Sequence, residues 1–537
     1  MKTIDDIVQI GVKNQKCTYE NGIRKVNDYL KLLNINTDEL YEMAKSFPSL
    51  LSSDTVSDEP TSIKLKLKFY KDTLSLTDSE LAKFIKSAPQ SLGFDIASED
   101  PTSVKAKLKF YKDTLSLTDN ELAKFIKSFP ALLSFNTISD NPTSIKAKLK
   151  FYKDTLSLTD SELAKFIKSF PPLLGYDIIS DEPTSVKSKL KFYKDTLSLT
   201  DNDLAKFIKS LPALLGYDTV SDEPTSIKSK LKFYKDILSL TDSELAKFIK
   251  SFPQSLGYDI ISSSPTSVKS KLMFYKDTLS LIDNDLAKFI KSYPRLLGLD
   301  IVSAEPTSVK SKLKFYKDML YLSDSELLKL VKSFPPLLSL DTASDEPTSV
   351  KAKLKFYKQT LSLNDNELAK FIQAYPLLLG FDIVNAKEAR TGMRVKLTLL
   401  NKMGIEKETI LENPILLTFP ATKLRFRFMM LNQAYDNEAI IKSKNLMITE
   451  DTLYARLRFL LNKNDPNSLV DMIRGEQSFA KKYGLSTTQL KQKYPIDERA
   501  IDFVEKLYNT KNPDDNWHLS PIERKAVLGK TKDLEKE

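Results

Sequence analysis

Apolar residues recur along this chain at helical spacing, and that pattern itself repeats. Between residues 60 and 100, Ile63, Leu67, Tyr70 and Leu74 fall on one face of a helix. Pro60 suits the first turn of that helix, where its missing N–H costs nothing. Thr77-Asp78-Ser79-Glu80 then reads as a capping box that opens a second helix burying Leu81, Phe84 and Ile85. Pro89 predicts the end of the second helix, since proline disfavours helical geometry in the residue before it. A short third helix or turn is expected over Gln90–Phe94, followed by polar Ser98-Glu99-Asp100. Neither long helix can bury its apolar face alone.

The unit returns without an insertion. Pro-Thr-Ser stands at Pro60, Pro101, Pro142, Pro183, Pro224, Pro265, Pro306 and Pro347, always 41 residues apart, and Pro48, Pro89 and Pro130 begin a second series that keeps the same step to Pro376. Such regularity predicts an all-α solenoid of tandem 41-residue three-helix repeats, each copy stacked on the next. The expected organisation is an N-terminal segment (1–24), the regular array (25–384), diverged repeats and a C-terminal helical region (385–510) and a polar tail (511–537). Ser79, Asn120, Ser161 and Asn202 begin a strict alternation, which we read as growth by duplication of a pair of copies.

Composition narrows the function. The chain has one cysteine, Cys17, and one histidine, His518, so neither an internal disulfide nor a usual Cys/His zinc site is available. No apolar run reaches the ~18 residues of a membrane span. Acids at the places of Asp72, Asp78 and Glu80 recur through the array, with Gln359 the exception, which suits capping and pairing with lysine better than an active site copied eight times. There is no phosphate-cradling glycine loop. A binding protein without catalytic residues, cofactor or metal is expected.

The run Leu-Ser-Leu-Thr-Asp-x-Glu-Leu-Ala-Lys-Phe-Ile-Lys-Ser-Phe-Pro-x-Leu-Leu resembles the mitochondrial transcription termination factor family. Phe129-Pro130-Ala131-Leu132-Leu133 and Phe170-Pro171-Pro172-Leu173-Leu174 carry the likeness well, while Pro89-Gln90-Ser91-Leu92 has Ser where the first Leu should be. Asn413-Pro414-Ile415-Leu416-Leu417 and the segment Phe479–Leu485 look like diverged motifs, so the resemblance spans about residues 25 to 500. It implies a curved superhelix that binds DNA or RNA through basic residues, and a mitochondrial location. The N-terminus does not read as a presequence, which keeps a bacterial cytoplasm open.

A net charge of +10 fits a polyanionic partner. In the first helix of each copy a lysine trio stands at i, i+4 and i+7: Lys64, Lys68 and Lys71, then Lys105, Lys109 and Lys112, and later Lys187, Lys191 and Lys194, with one gap where Met273 replaces the middle lysine between Lys269 and Lys276. These fall within about 60° of one another, beside the apolar face, and stacking would align them into a ridge. Lysine stems beside a buried stripe also simply keep helices soluble. The copy Pro183–Glu223 balances six lysines against six acids. Nine of the 11 arginines lie in the last 148 residues, among them Arg390, Arg394, Arg425, Arg427, Arg456 and Arg458. Arginine grips phosphate with a planar fork, so the tightest nucleic-acid contacts are expected there.

The residue after the second-helix proline varies (Gln90, Ala131, Pro172, Ala213), but several of these cannot hydrogen-bond to a base. Recognition by shape and backbone charge is therefore expected, on double-stranded DNA or structured RNA, by a monomer away from the membrane. A protein-binding scaffold is the alternative, carried by the charge balance and by aromatics such as Phe69.

Overall fold

In the computed structural model, residues 2–383, 392–436, 439–440, 444–463, 465–515 and 517–528 are described. Among them every regular element is an α-helix or a 3-10 helix, and there is no strand. The chain is an all-α helical-repeat solenoid that divides into two units, 1–269 and 270–537.

One regular copy consists of helices Ile63–Thr73 and Asp78–Ser87 and the 3-10 helix Pro89–Gly93. The first helix starts later than Pro60. Ser62, with an extended backbone, is its N-cap, and the Ser62 hydroxyl accepts from Leu65 N–H at 3.3 Å, a bond that proline cannot supply. Pro60 instead fixes the turn before it, in which Ser62 N–H donates to Glu59 O at 2.8 Å. The helix ends on Ser75, which has a left-handed φ of 50°, and Leu76 N–H reaches back to Lys71 O at 2.9 Å. This is the Schellman arrangement with Ser where glycine is usual. Thr77 and Glu80 then form the predicted capping box. Ala88, kept out of helical geometry before Pro89 (φ −145°, ψ 69°), closes the second helix.

Ile63, Leu67, Tyr70, Leu81, Phe84 and Ile85 are buried, as their spacing predicts. Two polar groups enter the same core. The Tyr70 hydroxyl donates to Ser91 O at 2.9 Å and Lys66 Nζ to Leu92 O at 2.7 Å, so both satisfy carbonyls at the end of the 3-10 helix. The lysine bond repeats with the period, at Lys107, Lys148, Lys189 and Lys230 in the first unit and at Lys312 and Lys353 in the second. Lys396, which donates to Leu417 O at 2.8 Å, marks helix Met393–Lys402 as the first helix of a diverged copy. Burial pulls its ammonium down to about 8.

Within the first unit the copies are joined in register. Lys127 pairs with Glu80 of the copy before it at 3.0 Å, Lys168 with Glu121 at 2.9 Å and Lys209 with Glu162 at 2.9 Å. Asp203 replaces glutamate in the next copy, and its shorter side chain leaves Lys250 3.8 Å away. Each glutamate thus caps its own helix and pairs with the next copy. The backbone N–H of the cap residue and the lysine ammonium hold Glu80, Glu121 and Glu162 at about 2, below the ordinary 4.5. A carboxylate depressed in the folded state stabilises it fully above its unfolded value and loses that contribution as pH falls through the folded one. Acid titration should therefore weaken the first unit between about pH 4.5 and 2. The triple variant E80Q, E121Q and E162Q should start less stable at pH 7 and show less of that acid loss when melting is followed by circular dichroism. An unchanged acid slope would refute this.

The N-terminal segment carries structure of its own. Helix Ile4–Lys13 buries Ile7 and Val8 against the following helices, and a side chain at Gly11 would lie 2.5 Å from Cys17 Sγ and 2.9 Å from Leu51 Cδ1. It covers the apolar end of the first copy, which a stacked array must protect from water. At the other end, helices Ala421–Leu431 and Glu450–Leu461 pack together around Phe426, Phe428, Leu453 and Leu457.

Candidate nucleic-acid interface

The three lysines of each trio are not equivalent. Lys64 is paired with Asp58 at 2.9 Å, across the turn before the helix, and Lys71 with Asp78 at the start of the second helix at 2.6 Å. Lys105 and Lys112 are held in the same way by Glu99 and Asp119, each at 2.6 Å, and Lys187 and Lys194 by Asp181 at 2.7 Å and Asp201 at 2.6 Å. Exposed pairs of this kind add little to stability, yet they neutralise the charge offered to a phosphate. The middle lysines, Lys68, Lys109 and Lys191, are exposed and have no ion pair among the described residues, as are Lys150 and Lys232 in the remaining copies of the first unit. What the stacking repeats, from Lys68 to Lys232, is one exposed ammonium per first helix without a direct ion pair, flanked by two directly paired ones. The acids that pair Lys105, Lys146, Lys187 and Lys228 also act through space on Lys109, Lys150, Lys191 and Lys232. A second series is also exposed and unpaired among the described residues, on the second helix: Lys83, Lys124, Lys165, Lys206 and Lys247. The sequence reading passed over it, although its place between buried Ala82 and Phe84 on an amphipathic helix gives it an outward direction.

The arginines separate into three groups. Arg427 and Arg456 are only 4% and 3% exposed, and this corrects the expectation that they meet a ligand. Arg427 donates to Leu446 O at 2.8 Å and to Glu450 Oε1 at 3.2 Å, with its guanidinium over Phe419. Arg456 donates to Met472 O at 3.1 Å, to Thr487 Oγ1 and to Glu476 Oε2 at 2.8 Å, over Phe479. Both guanidinium groups are turned into the core, away from any phosphate at the surface, although Arg427 Nε has no hydrogen-bond partner among the described residues. Arg425 and Arg458 are partly buried, Arg425 over Trp517 with Glu523 at 3.7 Å, and Arg458 over Phe503. Arg394 is exposed and lies over the rim of Phe356 with no acidic partner among the described residues. Arg390 lies outside the described residues.

The sequence reading also missed Lys402. Counting from the buried lysine of its helix, Lys402 occupies the place held by Asp72 in the regular copy, so the diverged copy reverses the charge at that position. Phe69, the aromatic considered for a protein partner, is half-buried and packs edge-on against Tyr70 at 5.6 Å.

Among the described residues no group of three or more His, Cys, Asp or Glu side chains is placed to hold a metal ion, and no helix is long and apolar enough to cross a membrane. A comparison with curated protein sequences returns no match. The sequence pattern of the mTERF family matches residues 3–197, 177–279 and 221–452, which together take in both the regular array and its diverged continuation. With in-register helical copies on one side and that match on the other, the chain belongs to the mTERF family.

Proposed function

We propose that this protein binds double-stranded DNA or structured RNA as a monomer and acts in transcription regulation, transcription termination or RNA metabolism, in an organelle or a bacterial cytoplasm. The observation that carries the reading is the series Lys68, Lys109, Lys150, Lys191 and Lys232, one exposed ammonium without a direct ion pair among the described residues at the same place in five successive copies. Copies joined in register by the Lys127–Glu80 type of pair give those charges a regular spacing, which suits a regularly spaced row of phosphates. Family membership supports the same partner class. Near-identical side chains in every copy favour contacts to the backbone over reading of bases.

Binding of this kind is dominated by counterion release. If about six to ten phosphates are engaged, affinity for a labelled duplex should fall about a thousandfold or more between 50 and 200 mM salt. A titration with a slope near zero sinks the proposal. One observation favours a protein partner instead: Val56, Ile138, Ile179 and Val220 are each about half exposed and recur at one loop position of the first unit. Capture of a defined protein that survives nuclease treatment, together with a flat salt dependence, would decide for that reading.

A further inference from the structure

Helix Met393–Lys402, helix Ala421–Leu431 and the segment 518–523 enclose an open cleft of about 630 Å³ within the second unit. That volume lies in the range of small-molecule sites, ~300–1,000 Å³. Its cationic side is built differently from the array. Arg394, Thr398 and Lys402 stand one turn apart on the same helix face and all line the cleft. The corresponding stripe of a regular copy is Lys64, Lys68 and Asp72, with Lys64 neutralised by Asp58. Here neither Arg394 nor Lys402 has an ion pair among the described residues, and the aspartate has become lysine. From the second helix Arg425 faces the same space. Its guanidinium lies 5.1 Å from the Trp517 ring centroid, Glu523 is 3.7 Å away, and its buried Nε has no hydrogen-bond partner among the described residues. The Thr422 hydroxyl adds a neutral donor, whereas the Thr398 hydroxyl donates to Arg394 O at 3.0 Å, and Val395, Leu399, Ala421 and Leu519 form an apolar wall.

Two free cations, a third with donors to spare and an apolar wall match a ligand that is anionic at one end and flat and apolar at the other. We propose that this cleft binds a nucleoside phosphate, the phosphate between Arg394, Lys402 and Arg425 and the base against Val395 and Leu399. The ligand could be a free nucleotide or the 5′-phosphorylated end of a strand, and both present the same chemistry. The site is separate from the lysine series of the first unit and does not depend on it.

The test is titration calorimetry on the full chain with ATP, with tripolyphosphate, and with a short oligonucleotide carrying either a 5′-phosphate or a 5′-hydroxyl. ATP, or the 5′-phosphorylated strand in preference to its hydroxyl counterpart, should bind, and the exposed double variant R394A and K402D should lose at least about tenfold in affinity, the size expected for loss of charge-assisted phosphate bonds. The first arm identifies a free nucleotide and the second a strand end. Absence of binding in both arms, or equal binding by the double variant, would overturn the site. Tripolyphosphate binding as tightly as ATP would overturn the nucleoside part. Duplex binding measured on the same variant keeps the two proposals apart, because the array lysines are intact in it.

Discussion

Changing Arg456 to Ala should destabilise the C-terminal part of the second unit by about 3–5 kcal/mol, the usual cost of removing one partner from a buried charged network. The side chain donates to the main chain at Met472 and Arg474, to Thr487 and to Glu476, and it lies flat over Phe479, 4.4 Å from its centre. Truncation would strand the Met472 carbonyl and open a cavity beneath the ring at the same time. Lysine cannot reproduce the fork and should recover less than half of the loss. Urea denaturation followed by far-UV circular dichroism measures the effect, and a change below about 1 kcal/mol would remove the structural role of Arg456. Arg427→Ala should behave in the same way, because Arg427 likewise joins Leu446 O to Glu450. Failure of either variant to bind nucleic acid would report a damaged unit.

The same residues mark where the sequence could and could not be read. The helices, the capping boxes and the prolines that end each second helix were legible, because they rest on local spacing that near-identical copies repeat. Pro60 misled, because Pro-Thr-Ser fits a helix start and a turn equally well, and only the Ser62 hydrogen bond separates them. The buried cations were missed for another reason: a lysine or arginine is ordinarily assigned to solvent. Yet a signal was present. Lys66 stands at the i+3 place of the apolar set Ile63, Leu67 and Tyr70, and Arg456 stands at the same place among Leu453, Leu457 and Leu460. Arg427 does so again among Leu424, Phe428 and Leu431. Each of the three donates to a carbonyl near the end of the 3-10 helix that follows, at Leu92, Met472 and Leu446. The diverged copies therefore keep the array's buried cation, as lysine at Lys396 and as arginine at Arg427 and Arg456. A cation inside an apolar stripe was the clue, and a count of arginines obscured it.

Interface charge follows a different rule, since it depends on which acid each lysine meets. Lys64, Lys68 and Lys71 look alike in the sequence, and the acids that silence two of them come from the turn before the helix and from the helix after it. Replacing the five middle lysines, Lys68, Lys109, Lys150, Lys191 and Lys232, by alanine should thus have the largest effect on nucleic-acid binding of any five changes in the first unit. Every phosphate left without its lysine should lower the salt slope by about 0.9, so the variant should lose roughly 4 to 5 units of slope and on the order of a thousandfold or more in affinity at low salt. Stability should hardly change, because these side chains are exposed and make no ion pair among the described residues. Arginine at the same five positions should restore binding, since it keeps the charge and adds a second donor. If the alanine variant keeps the wild-type slope, the phosphates do not lie on the first helices, and the second-helix series beginning at Lys83 becomes the surface to change next.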